Sequence, residues 1–263
     1  MNLFNKKHLL DQLIDLTVVA GEIVKEASTK AKIITHKGRI DLVTETDLAV
    51  EKMLKKELAQ ILPESDFLAE ESAQNTELGE LTWIIDPLDG TTNFAHGLPF
   101  VANSIALWHR DRVVIGVVNL PLMGEMFSAM EGGGACLNGV PISVTNESSL
   151  ERSLLATGFP YAIDDHLDTI IKHFRRLLPV TQGIRRPGAA ALDLAYVACG
   201  RFDGFFESAL NPWDTAAGLL LVKEAGGRVT EFDASVPYRF ASPNILATNN
   251  MIHEELSQLI CED

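Results

Sequence analysis

The segment Trp83-Ile84-Ile85-Asp86-Pro87-Leu88-Asp89-Gly90-Thr91-Thr92-Asn93 constrains this chain more than any other. A run with the character of a buried strand leads straight into two carboxylates three residues apart. Pro87 biases Asp86 toward extended backbone, and Gly90 allows a close backbone approach. Such a turn converges oxygens on one point: Asp86, Asp89 and the carbonyl of Leu88 are hard donors, suited to magnesium and poor for zinc or copper. Gly90, Thr91 and Thr92 then offer consecutive N–H groups, which can form a nest for an anion beside such an ion. Asp-Pro and Asp-Gly are also ordinary turn pairs. The reading therefore leans on other acids that follow or abut apolar segments: Asp41 and Asp47 in D-L-V-T-E-T-D, Glu70 and Glu71 in F-L-A-E-E-S, and Asp214 in N-P-W-D-T-A-A-G.

The periodicity places these acids on elements. Leu9, Leu10, Leu13, Leu16, Ala20, Ile23, Val24 and Ala27 recur at steps of three and four, which predicts an opening amphipathic helix. T-E-T-D gives a capping-box pattern for a second helix from Thr44, with Asp47 in its first turn and Pro63 as its stop. From Phe67 to Pro141, short apolar runs separated by turn signals predict a largely antiparallel sheet. Beyond about residue 143 helices and strands alternate, with helices near 165–178, 190–199, 212–225 and 251–260 and strands near 203–207, 228–232 and 244–248. Pro212 puts Asp214 in the opening turn of an apolar helix that ends at Gly226-Gly227. For both Asp47 and Asp214, simple stabilisation of a helix dipole is an alternative explanation.

These 263 residues suit one large domain or two fused halves. The expected division is an α+β half over 1–143, carrying the large sheet and the metal motifs, and an α/β half over 144–263 that completes the site, both sharing one continuous core. With 46% hydrophobic and 22% charged residues the chain reads as globular. A formal charge of −14 disfavours direct nucleic-acid or anionic-membrane binding. An acidic protein that handles phosphate must overcome that repulsion locally, and divalent cations are the usual means. Cys136, Cys199 and Cys261 are odd in number and widely spaced, which argues against a disulfide framework or a thiolate zinc site. The amino terminus resembles neither a signal peptide nor a membrane span, so a cytoplasmic location is expected. Seven histidines show no metalloprotease spacing, no G-x-S-x-G occurs, and His96 reads as a surface or packing residue.

Taken in order, D-L-V-T-E-T-D, F-L-A-E-E-S, W-I-I-D-P-L-D-G-T-T-N and N-P-W-D-T-A-A-G-L-L-L-V-K-E-A-G-G closely resemble the motifs of the inositol monophosphatase family, over roughly residues 37–227. The resemblance implies a mixed α/β fold, a layered α-β-α-β-α sandwich of the sugar phosphatase type. It also implies a magnesium-dependent, lithium-sensitive hydrolase that acts as a homodimer on a small phosphorylated polyol. By position, Glu70, Asp86 and the Leu88 carbonyl correspond to ligands of one Mg2+. Asp86, Asp89 and Asp214 correspond to ligands of a second, and Glu70 helps hold a weaker third. Thr91, paired with Asp47, resembles the residues that orient and deprotonate the attacking water, so Asp47, Glu70 and Thr91 form the implied catalytic set. Gly90 and Thr91 would meet the phosphate through their backbone, next to Leu88. Asp89, Ala190, Glu207 and Asp214 match positions facing the substrate hydroxyls. A departure precedes Asp41, where K-G-R-I replaces a longer basic loop and Lys37 stands as the loop lysine.

Phosphate monoester hydrolysis needs accelerations of up to about 10²¹, most of it from positioning and charge neutralisation. Clustered carboxylates repel one another until cations bind, so the acids and the ions explain each other. Direct attack by water leaves no phosphoenzyme. Phosphatases that use an Asp nucleophile place two aspartates two apart, unlike Asp86 and Asp89. The expected substrate is inositol 1-phosphate. Alternatives on the same cradle are fructose 1,6-bisphosphate, NADP, histidinol phosphate and 3'-phosphoadenosine 5'-phosphate. An alternative of another class is a partner protein of the transcription machinery.

Overall fold

Two amphipathic helices pack side by side at the outer face of the molecule. In the computed structural model, which describes residues 5–30, 34–36, 42–160 and 162–262, the first is α1 (Lys6–Ser28). Asn5 caps it, its side chain accepting from the His8 N–H at 3.2 Å. A short β1 (Ile34–His36) and β2 (Leu42–Thr44) hairpin leads into α2 (Glu45–Ile61). The capping box expected at Thr44 is present: its hydroxyl accepts from the Thr46 N–H, and its own N–H donates to Asp47 Oδ2 at 2.9 Å. Asp41 and Lys37 lie outside the described residues.

The first sheet has seven strands: β3 (Asp66–Ala69), β4 (Leu81–Asp89), β5 (Ala102–His109), β6 (Arg112–Leu120), β7 (Glu125–Met130), β8 (Gly134–Leu137) and β9 (Val140–Ile142), in that spatial order. All neighbours run antiparallel except β3 and β4. Alternation along β4 divides its side chains between two layers. Trp83 and Ile85 join Leu13, Val24, Val50, Leu54 and Leu58 in the cluster under α1 and α2, whereas Ile84 belongs to the cluster on the other face. Leu54 is fully buried there, so truncation to Ala costs about 2–5 kcal/mol.

On that other face lie α5 (Ala190–Ala198) and α6 (Pro212–Glu224), which are apolar on nearly every side because they form the middle layer between two sheets. Gly116 permits the closeness: a Cβ there would lie 3.0 Å from the backbone of Ala217. The second sheet orders β11 (Gly183–Arg185), β10 (Leu154–Thr157), β12 (Gly204–Ser208), β14 (Asn244–Thr248) and β13 (Arg228–Thr230). β10 pairs in parallel with β11 and β12, while β14 pairs antiparallel with β12 and β13. Its outer face carries α4 (Ile163–Leu177) and α7 (His253–Cys261), packed through Leu177, Phe206, Leu246, Leu256 and Ile260. The layers read α-β-α-β-α, as expected.

Among the elements not foreseen are two strands of the second sheet and a single-turn helix. β10 and β11 are four and three residues long, too short to carry a period of their own. A single-turn helix, α3 (Thr91–His96), follows the acidic turn. Among the described residues, no helix is long and apolar enough to cross a membrane.

Candidate active site

β4 does not end at Asp86 but continues through Asp89, with a register shift against β5 between the two acids. Pro87 lacks a ladder donor, and its carbonyl is taken instead by the Asn103 side chain at 2.6 Å. The Leu88 N–H turns back to Asp86 Oδ1 at 3.0 Å. Gly90 then adopts φ +87°, and a Cβ there would sit 2.6 Å from the Phe100 carbonyl oxygen; glycine alone fits both requirements. Asn93, quoted above without a role, ties this turn to the loop before α5, donating to the carbonyls of Phe100 and Pro187 at 2.8 and 2.9 Å.

The other acids arrive from separate elements. Glu70 follows β3, its N–H bonded to the Ile85 carbonyl at 3.1 Å, which sets it beside β4. Asp214 completes a capping box with Asn211 at the start of α6, accepting the Asn211 N–H at 2.6 Å. Asp89 reaches across to α5, where its Oδ2 accepts the Ala191 N–H at 2.7 Å. Asp47 caps α2 and also stands under the turn: the Thr91 hydroxyl lies 3.2 Å from Asp47 Oδ1 and 3.1 Å from the Leu88 carbonyl. One carboxylate thus both caps α2 and meets the Thr91 hydroxyl.

A cleft of about 270 Å³ is lined by Glu70, Asp89, Gly90, Thr91, Ala190, Glu207 and Asp214, among others. Asp86, Leu88 and Asp47 are buried just behind that wall. Leu88 brings only its backbone to the site, because its side chain is wholly enclosed. His96 is exposed at the end of α3 and lies outside the cleft lining.

Electrostatics join these acids. Burial, then the charges of Glu70, Asp89, Asp214 and Asp47, hold the Asp86 carboxyl well above the usual range. Burial and then Asp89 do the same to Asp214. Asp89 is pushed up to about 6 by burial, although the N–H groups of Ala191, Ala190, Gly90 and Leu192 pull it down. Asp47 is raised by burial against its hydrogen bonds to Thr44 and Thr91. Among the described residues no three acidic, histidine or cysteine side chains are gathered closely enough to enclose an ion as they stand. The four acids of the cradle share one electrostatic field. A set of hard oxygen donors that destabilise one another's charge, beside a turn of N–H groups, nevertheless fits a hard dication in its chemistry.

Glu207, on β12, enters from the second sheet. Burial raises it to about 8, with Arg186 pulling it down and Asp89 pushing it up. It lies directly over Gly158, where a Cβ would fall 2.1 Å from Glu207 Oε2. Gly158, Arg186 and Asp193 had no role in the sequence reading. Arg186 lines the cleft with its guanidinium 5.2 Å from the Phe159 ring centroid. Asp193, in α5, is fully enclosed with neither carboxylate oxygen hydrogen-bonded. Burial and then Glu207 hold it well above the carboxylate range, and a lone acid within A-A-L-D-L-A-Y-V-A was its signal.

The model of the inositol monophosphatase family matches residues 5–263. The chain belongs to this family. It is 44% identical to an inositol-1-monophosphatase of Synechocystis sp. over 253 residues, covering 95% of this chain and 88% of that one. It is 45% identical over 223 residues to the Nus factor SuhB of Pseudomonas aeruginosa, 82% of each chain. Among solved structures, the SuhB extragenic suppressor protein of Bartonella henselae superposes with a TM-score of 0.92 at 38% identity, covering 97% of this chain and 99% of that one. The IMPase of Thermotoga maritima gives 0.89 at 37%, covering 96% of each. This inositol monophosphatase family member is accordingly a phosphatase, a hydrolase of phosphoric monoesters.

Proposed function

We propose that the chain hydrolyses a small phosphorylated polyol, inositol 1-phosphate before others, by direct attack of water. What carries the reading is the convergence of Glu70, Asp89 and Asp214 on one cleft beside the Gly90-Thr91 turn, with Asp86 buried behind them. Glu70, Asp86 and the Leu88 carbonyl would hold one Mg2+; Asp86, Asp89 and Asp214 would hold a second, with Glu70 sharing a weaker third. Bound there, magnesium supplies positive charge to the phosphoryl oxygens and lowers the pKa of water. The N–H groups of Gly90 and Thr91 hold the phosphate, and the Thr91 hydroxyl orients the attacking water while Asp47 takes up its proton. Glu207, protonated in part near neutral pH, exchanges hydrogen bonds with substrate hydroxyls beside Ala190 and Asp214. The test is phosphate release across a panel of phosphomonoesters, with magnesium, with chelator, and with lithium titrated against magnesium. Inositol 1-phosphate should lead the panel, and Asp86→Asn should be nearly inactive. Full activity of that variant at ordinary magnesium demand rejects the site.

We place the enzyme in the cytoplasm as a homodimer, which sedimentation at micromolar concentration tests. The 45% identity to the Nus factor SuhB of Pseudomonas aeruginosa favours a second reading, association with transcription proteins. A stable partner captured equally by parent and Asp86→Asn protein would support it.

A further inference from the structure

A second cavity is larger than the acidic cleft. It has about 670 Å³ and opens between the β5–β6 hairpin, the last turns of α6 and the segment around Tyr238. Its wall is aromatic: the rings of Trp108 and Phe240 meet at 5.5 Å and 49°, with Tyr238 beside them over Leu219 and Leu220. Its rim is charged, and the charges are unevenly committed. Glu131 accepts from Lys6 and Arg112. Glu224 accepts the N–H groups of Gly132 and Gly134, both at 2.9 Å. Asp111 pairs with Arg112 at 2.9 Å, and Arg110 with Glu80 at 3.1 Å. Among the described residues, the side chains of Lys223 and Arg239 have no hydrogen-bond or ion-pair partner.

Every acid on the rim is thus occupied, while two cations are left over in a protein of charge −14. The position of Lys223 in the last turn of α6 suits the helix dipole, but that accounts neither for Arg239 nor for the aromatic wall. We propose that this cavity is a second ligand site, which takes a planar aromatic anion with its ring against Trp108 and Phe240 and its carboxylate or phosphate on Lys223 and Arg239. Rings pack favourably in tilted or offset contact, and an ionised oxygen on two cations makes charge-assisted hydrogen bonds. The proposal does not rest on the chemistry of the acidic cleft. Tyr238 connects the two places, because its hydroxyl lies 3.1 Å from Thr215 Oγ1, next to Asp214.

Isothermal titration of the whole protein with 1-naphthoate, in saturating magnesium, tests it. The uncharged 1-naphthalenemethanol serves as the twin probe. Saturable binding of one naphthoate per chain is expected, weakened about tenfold or more both for the alcohol and for the Lys223→Gln/Arg239→Gln double variant. Both substituted residues are exposed, so the variant should melt with the parent, and Trp108→Leu should weaken binding comparably. Absence of saturable binding, equal affinity for the alcohol, or indifference to the double variant overturns the proposal. So does binding abolished by Asp86→Asn, which would place the probe in the acidic cleft.

Discussion

Asp89 Oδ2 accepts the main-chain N–H of Ala191 at 2.7 Å, across 102 residues of chain. This bond joins the turn at the end of β4 to the first turn of α5, so one carboxylate both faces the cleft and locks the helix to the sheet. Asp89→Asn keeps a carbonyl acceptor for Ala191 and removes only the charge. We expect phosphatase activity to fall at least about a thousandfold, the scale for loss of a preorganised electrostatic group. In chelator the variant should melt no lower than the parent, because a like-charge repulsion has gone. Asp89→Ala, which also strands the N–H, should lose about 1–3 kcal/mol in urea titration. Equal stability of the two variants would show that the bond contributes nothing.

Asp47 divides its oxygens between two threonines: Oδ2 serves the Thr44 cap and Oδ1 faces the Thr91 hydroxyl. Thr44→Ala should therefore cost about 1 kcal/mol of stability, as lost caps do, with a smaller loss of kcat than Thr91→Val, since the Thr44 hydroxyl also donates to Asp47 Oδ2. Thr91→Val should do the reverse, lowering kcat by about 10²–10⁴ as expected when proton transfer is impaired, at an unchanged melting temperature. Thr91→Ser keeps the hydroxyl and should retain most of the rate. A Thr91→Val enzyme with parental kcat would remove the residue from the mechanism.

Gly158 is small because Glu207 occupies the space a side chain would need, with Oε2 2.1 Å from the would-be Cβ. Gly158→Ala must displace that carboxyl from the polyol side of the cleft. The kcat/KM for inositol 1-phosphate should drop about tenfold, the worth of one lost neutral hydrogen bond. 4-Nitrophenyl phosphate, which has no hydroxyls to meet Glu207, should be hydrolysed nearly as before. A parallel fall on both substrates would argue against a role for Glu207 in reading the leaving group.

The parts of this architecture written in local pattern were legible beforehand. T-E-T-D announced the Thr44 cap, N-P-W-D announced the start of α6, and the apolar alternation from Phe67 to Pro141 announced the first sheet. What escaped depends on partners far along the chain. β10 is a strand because Leu154 meets Gly183 on one side and Leu155 meets Gly204 on the other, pairings that four residues cannot advertise. The same holds at the cleft. The acids of D-P-L-D-G are conspicuous in the sequence, whereas Arg186 matters only through Phe159 and Glu207, and Gly158 only through the carboxyl above it.

His253 supplies a test of stability independent of catalysis. Its imidazole is fully buried between two threonines, with Nε2 2.9 Å from Thr230 Oγ1 and Nδ1 2.9 Å from Thr248 Oγ1. The Thr230 hydroxyl donates to the Glu231 carbonyl, so it accepts from Nε2–H. Thr248 accepts the Asn250 N–H and has its own hydrogen available to donate to Nδ1. These bonds suit a neutral ring, and burial, followed by the charge of Arg228, lowers its pKa to about 4. Below about pH 6.5 the unfolded chain takes up a proton at this residue that the folded protein refuses, so stability falls as the pH falls, until the folded ring titrates near pH 4. From pH 7 to pH 5 this residue alone should remove about 2 kcal/mol. Urea titrations of the parent and of His253→Gln at the two pH values isolate that amount, since the cleft carboxylates titrate alike in both. The variant should be less stable at pH 7 and should lose less on acidification; an identical loss in the two proteins would mean that the ring accepts its proton while folded.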